Sequence, residues 1–206
     1  QLIPEPVAAA VQARLEALGA VFHLGCAIES LAVAEHGVSL RLDDGSEIRA
    51  DQALSAIGLT PRLALAETAG LEIGRGIIVD RALATSQLHI YALGDCAEVQ
   101  GLNLMYVMPL MTAARALAKT LCGTVTEVSY PAMPVMVKTP ACPLVVAPPL
   151  TAASGHWRTT GEDGDLQALF HDDQGQLHGF ALTGSKVAEK LKLTRELPGW
   201  LVAAQA

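Results

Sequence analysis

The chain has 206 residues, 51% hydrophobic and 17% charged, enough apolar material for one sizeable core or two small ones, which excludes intrinsic disorder. Fourteen Lys plus Arg against 21 Asp plus Glu give a formal charge of −7, an argument against nucleic acid as a partner. No apolar run approaches the roughly 20 residues a membrane helix needs, and the four cysteines (Cys26, Cys96, Cys122, Cys142) form no C-x-x-C pair, so neither a zinc knuckle nor a redox dithiol is spelled and a reducing cytoplasm is the expected setting.

In chain order, Val7, Ala8, Val11, Leu15 and Leu18 recur at helical spacing and predict an amphipathic helix from Glu5 to Leu18, ended by Gly19. Val21–Leu24, Ile28–Ala34, Val38–Leu42, Glu47–Ala50 and Gln52–Ile57 read as strands, with Asp43-Asp44-Gly45 as a hairpin turn. After Gly58-Leu59-Thr60-Pro61, a helix is expected over Arg62–Ala69, then short strands at Ile77–Asp80 and His89–Leu93. Leu110–Leu121, rich in Ala, Leu and Met, predicts a helix that stops at Gly123.

Six prolines between Pro131 and Pro149 forbid a long helix there and leave Val135–Lys138 and Leu144–Ala147 as short extended pieces. His156–Thr160, Leu166–His171 and Leu177–Thr183 read as an antiparallel meander. A closing helix, Ser185–Leu193, is expected with Ser185 as its cap and Lys186 one turn from Lys190. No internal repeat or low-complexity tail is present.

The most informative string is Ile90-Tyr91-Ala92-Leu93-Gly94-Asp95-Cys96-Ala97. A glycine at the carboxyl end of a strand lets a ligand approach the backbone, and the next Asp can accept hydrogen bonds from sugar-type hydroxyls. Gly-Asp after a strand is also a common turn. A helix starting near Leu110 presents unpaired N–H groups to an anionic edge, so the backbone of Val107 just before it is a candidate donor. Lys138 lies in a Pro-flanked, otherwise apolar stretch where its ammonium needs a partner, unless it is an ordinary exposed strand-end lysine.

The six histidines show no ligand spacing, and Cys142 reads as a buried structural thiol. Cys96 has no second thiol nearby. Lys186, Lys190, Lys192 and Arg195 outnumber Glu189 and Glu196, a local basic patch that is either a solvated helix face or a dock for an acidic carrier.

Three strings together, Gly94-Asp95-Cys96-Ala97-Glu98, Gly101 through Met111, and Pro134-Val135-Met136-Val137-Lys138-Thr139-Pro140-Ala141-Cys142-Pro143, resemble the rubredoxin-NAD(+) reductases, FAD-dependent members of the pyridine nucleotide-disulfide oxidoreductases. The likeness runs on to Glu189-Lys190-Leu191 and Glu196-Leu197-Pro198-Gly199. It implies an α/β fold: a partial two-dinucleotide-domain (Rossmann-like) architecture followed by a small α+β C-terminal domain. The implied boundaries are residues 1–54 for the end of the NAD(P)H-binding domain, 55–124 for the last segment of the FAD-binding domain, and 125–206 for a C-terminal domain facing flavin and partner. The same resemblance implies electron transfer from NADH through FAD to rubredoxin or a similar acidic carrier. Asp95, next to Gly94, would hold the ribityl chain, Val107 would meet the flavin pyrimidine edge through its backbone, and Lys138 would sit by the isoalloxazine. Reduction of another carrier, ferredoxin or a flavorubredoxin, and a non-catalytic docking module are the alternatives; oligomeric state and the choice of NADH over NADPH are left open.

Neither glycine-rich dinucleotide finger of the family is found, and Gly74-Arg75-Gly76 has the wrong spacing. The chain also opens without Met, directly in a helical pattern. The expectation is therefore a C-terminal half whose isolated form holds FAD weakly or not at all and does not turn over.

Overall fold

The computed structural model describes residues 2–150, 153–162 and 164–202. The chain divides into two compact units, residues 16–59 and the remainder.

In chain order, the first element is helix α1 (Glu5–Glu16). The smaller unit carries β1 (Ile28–Val33), β2 (Val38–Leu42) and β3 (Glu47–Ala50), an antiparallel sheet in that order. The Asp43–Gly45 turn closes the β2–β3 hairpin as expected: Leu42 N–H bonds to Ser46 O, and Asp44 Oδ1 accepts from Ser46 N–H at 2.8 Å. Val21–Leu24 and Gln52–Ile57 are not strands. They have no pairing partner among the described residues, and Val21, Leu24, Leu54 and Ile57 stand exposed together with Ile28, Leu31 and Val33 of β1.

The larger unit holds α2 (Ala64–Thr68), a parallel pair of β4 (Ile77–Val79) with β5 (Ala97–Val99), and α3 (Val107–Leu121). His89–Leu93 forms no strand, only an isolated bridge from Tyr91 to Ala84; the backbone turns left-handed at His89 (φ 63°), which strand pairing does not accommodate. α3 begins three residues before the predicted Leu110, because Pro109 falls in the first turn, where its missing N–H has no helical partner to lose. Ala113, Ala116 and Leu117 of α3 pack with Val79, Leu83, Val99, Val128 and Tyr130 in one core.

The second core is built on a five-stranded antiparallel sheet ordered β6-β7-β10-β9-β8, from β6 (Val135–Val137), β7 (Leu144–Ala147), β8 (His156–Glu162), β9 (Asp165–His171) and β10 (Leu177–Thr183). The expected meander is its β8-β9-β10 part. β7 reads Leu-Val-Val-Ala without a polar residue because both its faces are covered: Leu144 and Val146 pack with Val7 of α1, while Val145 and Ala147 pack with Phe180, Leu182 and Leu193. The opening helix, expected within the 1–54 segment, thus lies on the C-terminal sheet. Val7, fully buried there, supplies the apolar contact that holds it.

The predicted closing helix is two pieces, a 3-10 segment Gly184–Glu189 and α4 (Lys190–Glu196). Ser185 is not its cap: the Ser185 N–H donates to Asp165 Oδ1 at 2.7 Å, and no side chain caps the 3-10 segment. The left-handed Gly184 (φ 55°), whose absent Cβ would strike that carboxylate, makes this approach available. Thr183, fully buried, accepts from the Leu166 N–H at 2.9 Å and donates to Gly164 O at 2.5 Å, so its hydroxyl is spent on the backbone of β9 and the turn before it.

Candidate functional site

The site is assembled from the α3 N-terminus upward. Tyr106 precedes α3 in extended conformation (φ −154°, ψ 168°), offers no side-chain cap, and no acidic residue occupies the first turn. The N–H groups of Val107 and Met108 therefore have no partner within the helix, and the positive end of the helix dipole is left open. These residues form one wall of a cavity of about 630 Å³. A second wall is the segment from Pro131 to Met136, and a third is Lys190, Leu191 and Thr194 of α4.

Two lysines line the cavity, Lys138, an exposed residue immediately after β6, and Lys190 at the start of α4. Neither ammonium has an ion pair or hydrogen bond among the described residues. In a chain of net charge −7, two unpaired cations and an open helix N-terminus on one apolar cavity single it out as a site for a flat, anion-bearing ligand. Lys138 also borders a smaller cavity of about 230 Å³ beside Thr139, Pro140 and Val187. Its position is fixed by the β6–β7 turn, where Thr139 Oγ1 donates to Cys142 O at 2.7 Å and Cys142 N–H returns to Thr139 O.

Tyr106 carries the cavity floor into the protein. Its hydroxyl is buried with no hydrogen-bond partner among the described residues, and burial, reinforced by neighbouring Tyr130, pushes the phenol up to about 12. The Tyr106 ring meets Trp200 edge-on, with centroids 6.3 Å apart and planes at 78°.

Val107 and Lys138, predicted separately from sequence, are thus brought to one cavity. Gly94 and Asp95 lie elsewhere, in a 3-10 turn (Gly94–Cys96) packed on the first turn of α3. Gly94 is left-handed (φ 80°), and a Cβ there would come within 2.9 Å of Leu110 Cδ1. Asp95 is exposed; its backbone oxygen accepts from Asn103 Nδ2 at 2.9 Å, while its carboxylate has no partner among the described residues and does not line the 630 Å³ cavity. Cys142 is buried, which pushes its thiol up and leaves it unreactive. Sequence reasoning missed Tyr106, Pro131–Pro134 and Met136 as cavity residues and read Lys190 only as part of a basic face. Tyr106 was findable as the neighbour of Val107, but nothing in the spacing of Lys138 and Lys190, 52 residues apart, signals that they line one cavity.

That basic face is smaller than expected. Lys186 is held 3.7 Å from Glu189, which also accepts from Gln167 Nε2, and Lys190 is taken into the cavity lining. Lys192 and Arg195 remain exposed and without ion pairs among the described residues.

Comparison with known proteins gives two family matches: pyridine nucleotide-disulphide oxidoreductase over residues 1–118, and the rubredoxin binding C-terminal domain over residues 127–197. The chain is 52% identical over 198 residues to the rubredoxin-NAD(+) reductase of Alcanivorax borkumensis, covering 96% of this chain and 52% of that protein. It is 43% identical over 208 residues to the rubredoxin-NAD(+) reductase of Acinetobacter baylyi, covering 100% and 53%. It therefore spans about half the length of the curated relatives it matches. Among solved structures, a ferredoxin reductase from Rhodopseudomonas palustris shares the fold, with TM-score 0.80 and 24% identity over 92% of this chain and 48% of that one.

Proposed function

Because the chain belongs to the pyridine nucleotide-disulphide oxidoreductase family, we propose that it forms the flavin-facing and carrier-facing part of an FAD-dependent reductase that passes electrons from NADH to rubredoxin or a similar small acidic carrier. The observation that carries this reading is the single apolar cavity on which the α3 N-terminus and two unpaired lysines converge.

The residues present fit a flavin. A cavity of about 630 Å³ accommodates a tricyclic ring system, its Met and Pro lining suits an aromatic face, and the open N–H groups suit an edge that gains negative charge on reduction. FAD, when bound, supplies the conversion of a two-electron donor into a one-electron one. The chain's part is to hold and shield it. Val107 offers its backbone N–H to the pyrimidine edge, Lys138 and Lys190 add positive potential, and Pro131–Met136 with Leu191 exclude water from the ring. Asp95, exposed and unpaired on the turn against α3, is the acceptor we assign to ribityl hydroxyls; Gly94 lets that turn approach Leu110.

Lys192 and Arg195 steer an acidic carrier to the α4 side of the cavity. This is supported by the match of residues 127–197 to a rubredoxin-binding domain. A cytoplasmic setting is supported by the four free thiols; no helix among the described residues is long and apolar enough to cross a membrane.

The test is a fusion of this chain behind the part of the A. borkumensis relative that it does not cover. The fused protein should be yellow, be bleached by NADH, and reduce rubredoxin faster than ferredoxin. A folded fusion that takes up no FAD would overturn the reading. The chain alone should lose FAD on desalting, and stoichiometric retention would show that no further grip is needed.

A further inference from the structure

The three walls of the cavity come from distant parts of the sequence, and residues 197–201 follow one of them directly and contact residues next to the other two. α4 is anchored in the sheet core by Leu193 and Leu197. The chain then crosses to the other core, where Trp200 and Leu201 pack. Leu201 and Tyr130 exchange both backbone hydrogen bonds, Tyr130 N–H to Leu201 O at 2.8 Å and Leu201 N–H to Tyr130 O at 3.0 Å, immediately before the Pro131–Met136 wall. The Trp200 ring meets the Tyr106 ring immediately before the Val107–Met108 wall.

Besides Trp200, Tyr106 is held by apolar packing against the core that contains Tyr130 and by few polar contacts. Its N–H bonds to Leu104 O at 3.1 Å, its hydroxyl has no partner among the described residues, and the helix it precedes has no side-chain cap. Helix termini without caps fray. Ring packing is then what sets where the open N–H groups of α3 point.

We propose that residues 197–201 are a strap that holds the cavity walls in register, with Trp200 a positioning residue that fixes the α3 N-terminus through Tyr106. The purpose of the strap rests on the flavin reading of this cavity; its geometry does not.

Amide exchange on the 206-residue chain tests the geometry. Trp200→Leu keeps an apolar side chain and loses the ring edge, whereas Trp200→Phe keeps both. In W200L, exchange at Met111 and Thr112, the first hydrogen-bonded turn of α3, should rise roughly 2- to 10-fold, the worth of an aromatic pair, and W200F should restore it. Val145 and Leu182 in the sheet should not change. An unaltered first turn, or equal acceleration in the sheet, would overturn the proposal.

Leu201→Pro removes the donor to Tyr130 together with the Leu201 side chain's packing on that core, and serves independently if W200L does not fold. Exchange at Tyr130 should then rise, and no rise would count against the strap. In the fused reductase, W200L should weaken FAD binding by a similar factor and W200F should not. If unsubstituted fusion binds no FAD, the flavin reading fails while exchange still decides the strap; if W200L loosens the turn yet binds FAD at full strength, the strap is not serving the cavity.

Discussion

Val107 is the first helical residue of α3, and its side chain is 68% exposed, so its assigned role lies in its backbone N–H alone. Proline removes that N–H at the one helical position where it is favoured, since its fixed φ suits the first turn and no intrahelical bond is lost. The residue before it, Tyr106, already has the extended conformation that proline demands of its neighbour. Val107→Pro should therefore leave the fold intact and delete one hydrogen bond to an anionic acceptor. Such a bond contributes about 1.5–3 kcal/mol, or roughly a 10- to 150-fold loss of FAD affinity. Val107→Ala, which keeps the N–H and gives up little buried surface, should stay within about twofold of the parent. The assay is reconstitution of the apo fused reductase with FAD, followed by flavin fluorescence, with far-ultraviolet circular dichroism to confirm α3. Unchanged affinity in V107P, or an equal loss in V107A, would refute the argument from the helix N-terminus.

Phe180 is fully buried, so Phe180→Ala should cost about 3–5 kcal/mol in urea unfolding; a smaller effect than that of exposed Leu191→Ala would contradict the assigned sheet core. Gly94→Ala forces a non-glycine residue into left-handed backbone against a flexible leucine terminus, costing about 1–2 kcal/mol and lowering Tm by about 2–8 °C, which calorimetry would read. The Tyr106 phenol titrates near 12 when folded and near 10 when unfolded, so the native state holds its proton more tightly. Its contribution is complete below about pH 10 and lost as pH rises toward 12, and alkaline denaturation should be shallower over that window in Tyr106→Phe. Replacing both Lys192 and Arg195 by Ala should cut the association rate with acidic rubredoxin several-fold at low salt and hardly at all at high salt. Stopped-flow traces that fall equally at both would remove these two residues from the docking face.

The strands of the β8-β9-β10 meander were legible because short apolar runs and Gly-Asp turns are local signals, and β7 was legible only as a short extended piece between prolines. What sequence did not convey was tertiary. The Val7 face of α1 would have fitted any apolar sheet, and nothing in its periodicity says that the sheet is 140 residues away. Val21–Leu24 has strand composition, yet a strand is made by its neighbour, and none of the described residues pairs with it. At the site, Val107 and Lys138 were found through resemblance and chemistry, whereas Lys190 entered the cavity only through the tertiary placement of α4. Ser185 failed as a cap because the 3-10 segment starts one residue earlier, at Gly184, which puts Ser185 inside it.

The smaller unit has a practical implication for handling the polypeptide. Ile28, Leu31 and Val33 lie on a border strand of its sheet with Val21, Leu24, Leu54 and Ile57 also facing solvent. Greasy borders of this kind template intermolecular pairing, so colloidal behaviour rather than folding free energy will set the concentration at which samples can be kept. Charged replacements at those seven places offer a way to raise it without touching the cavity.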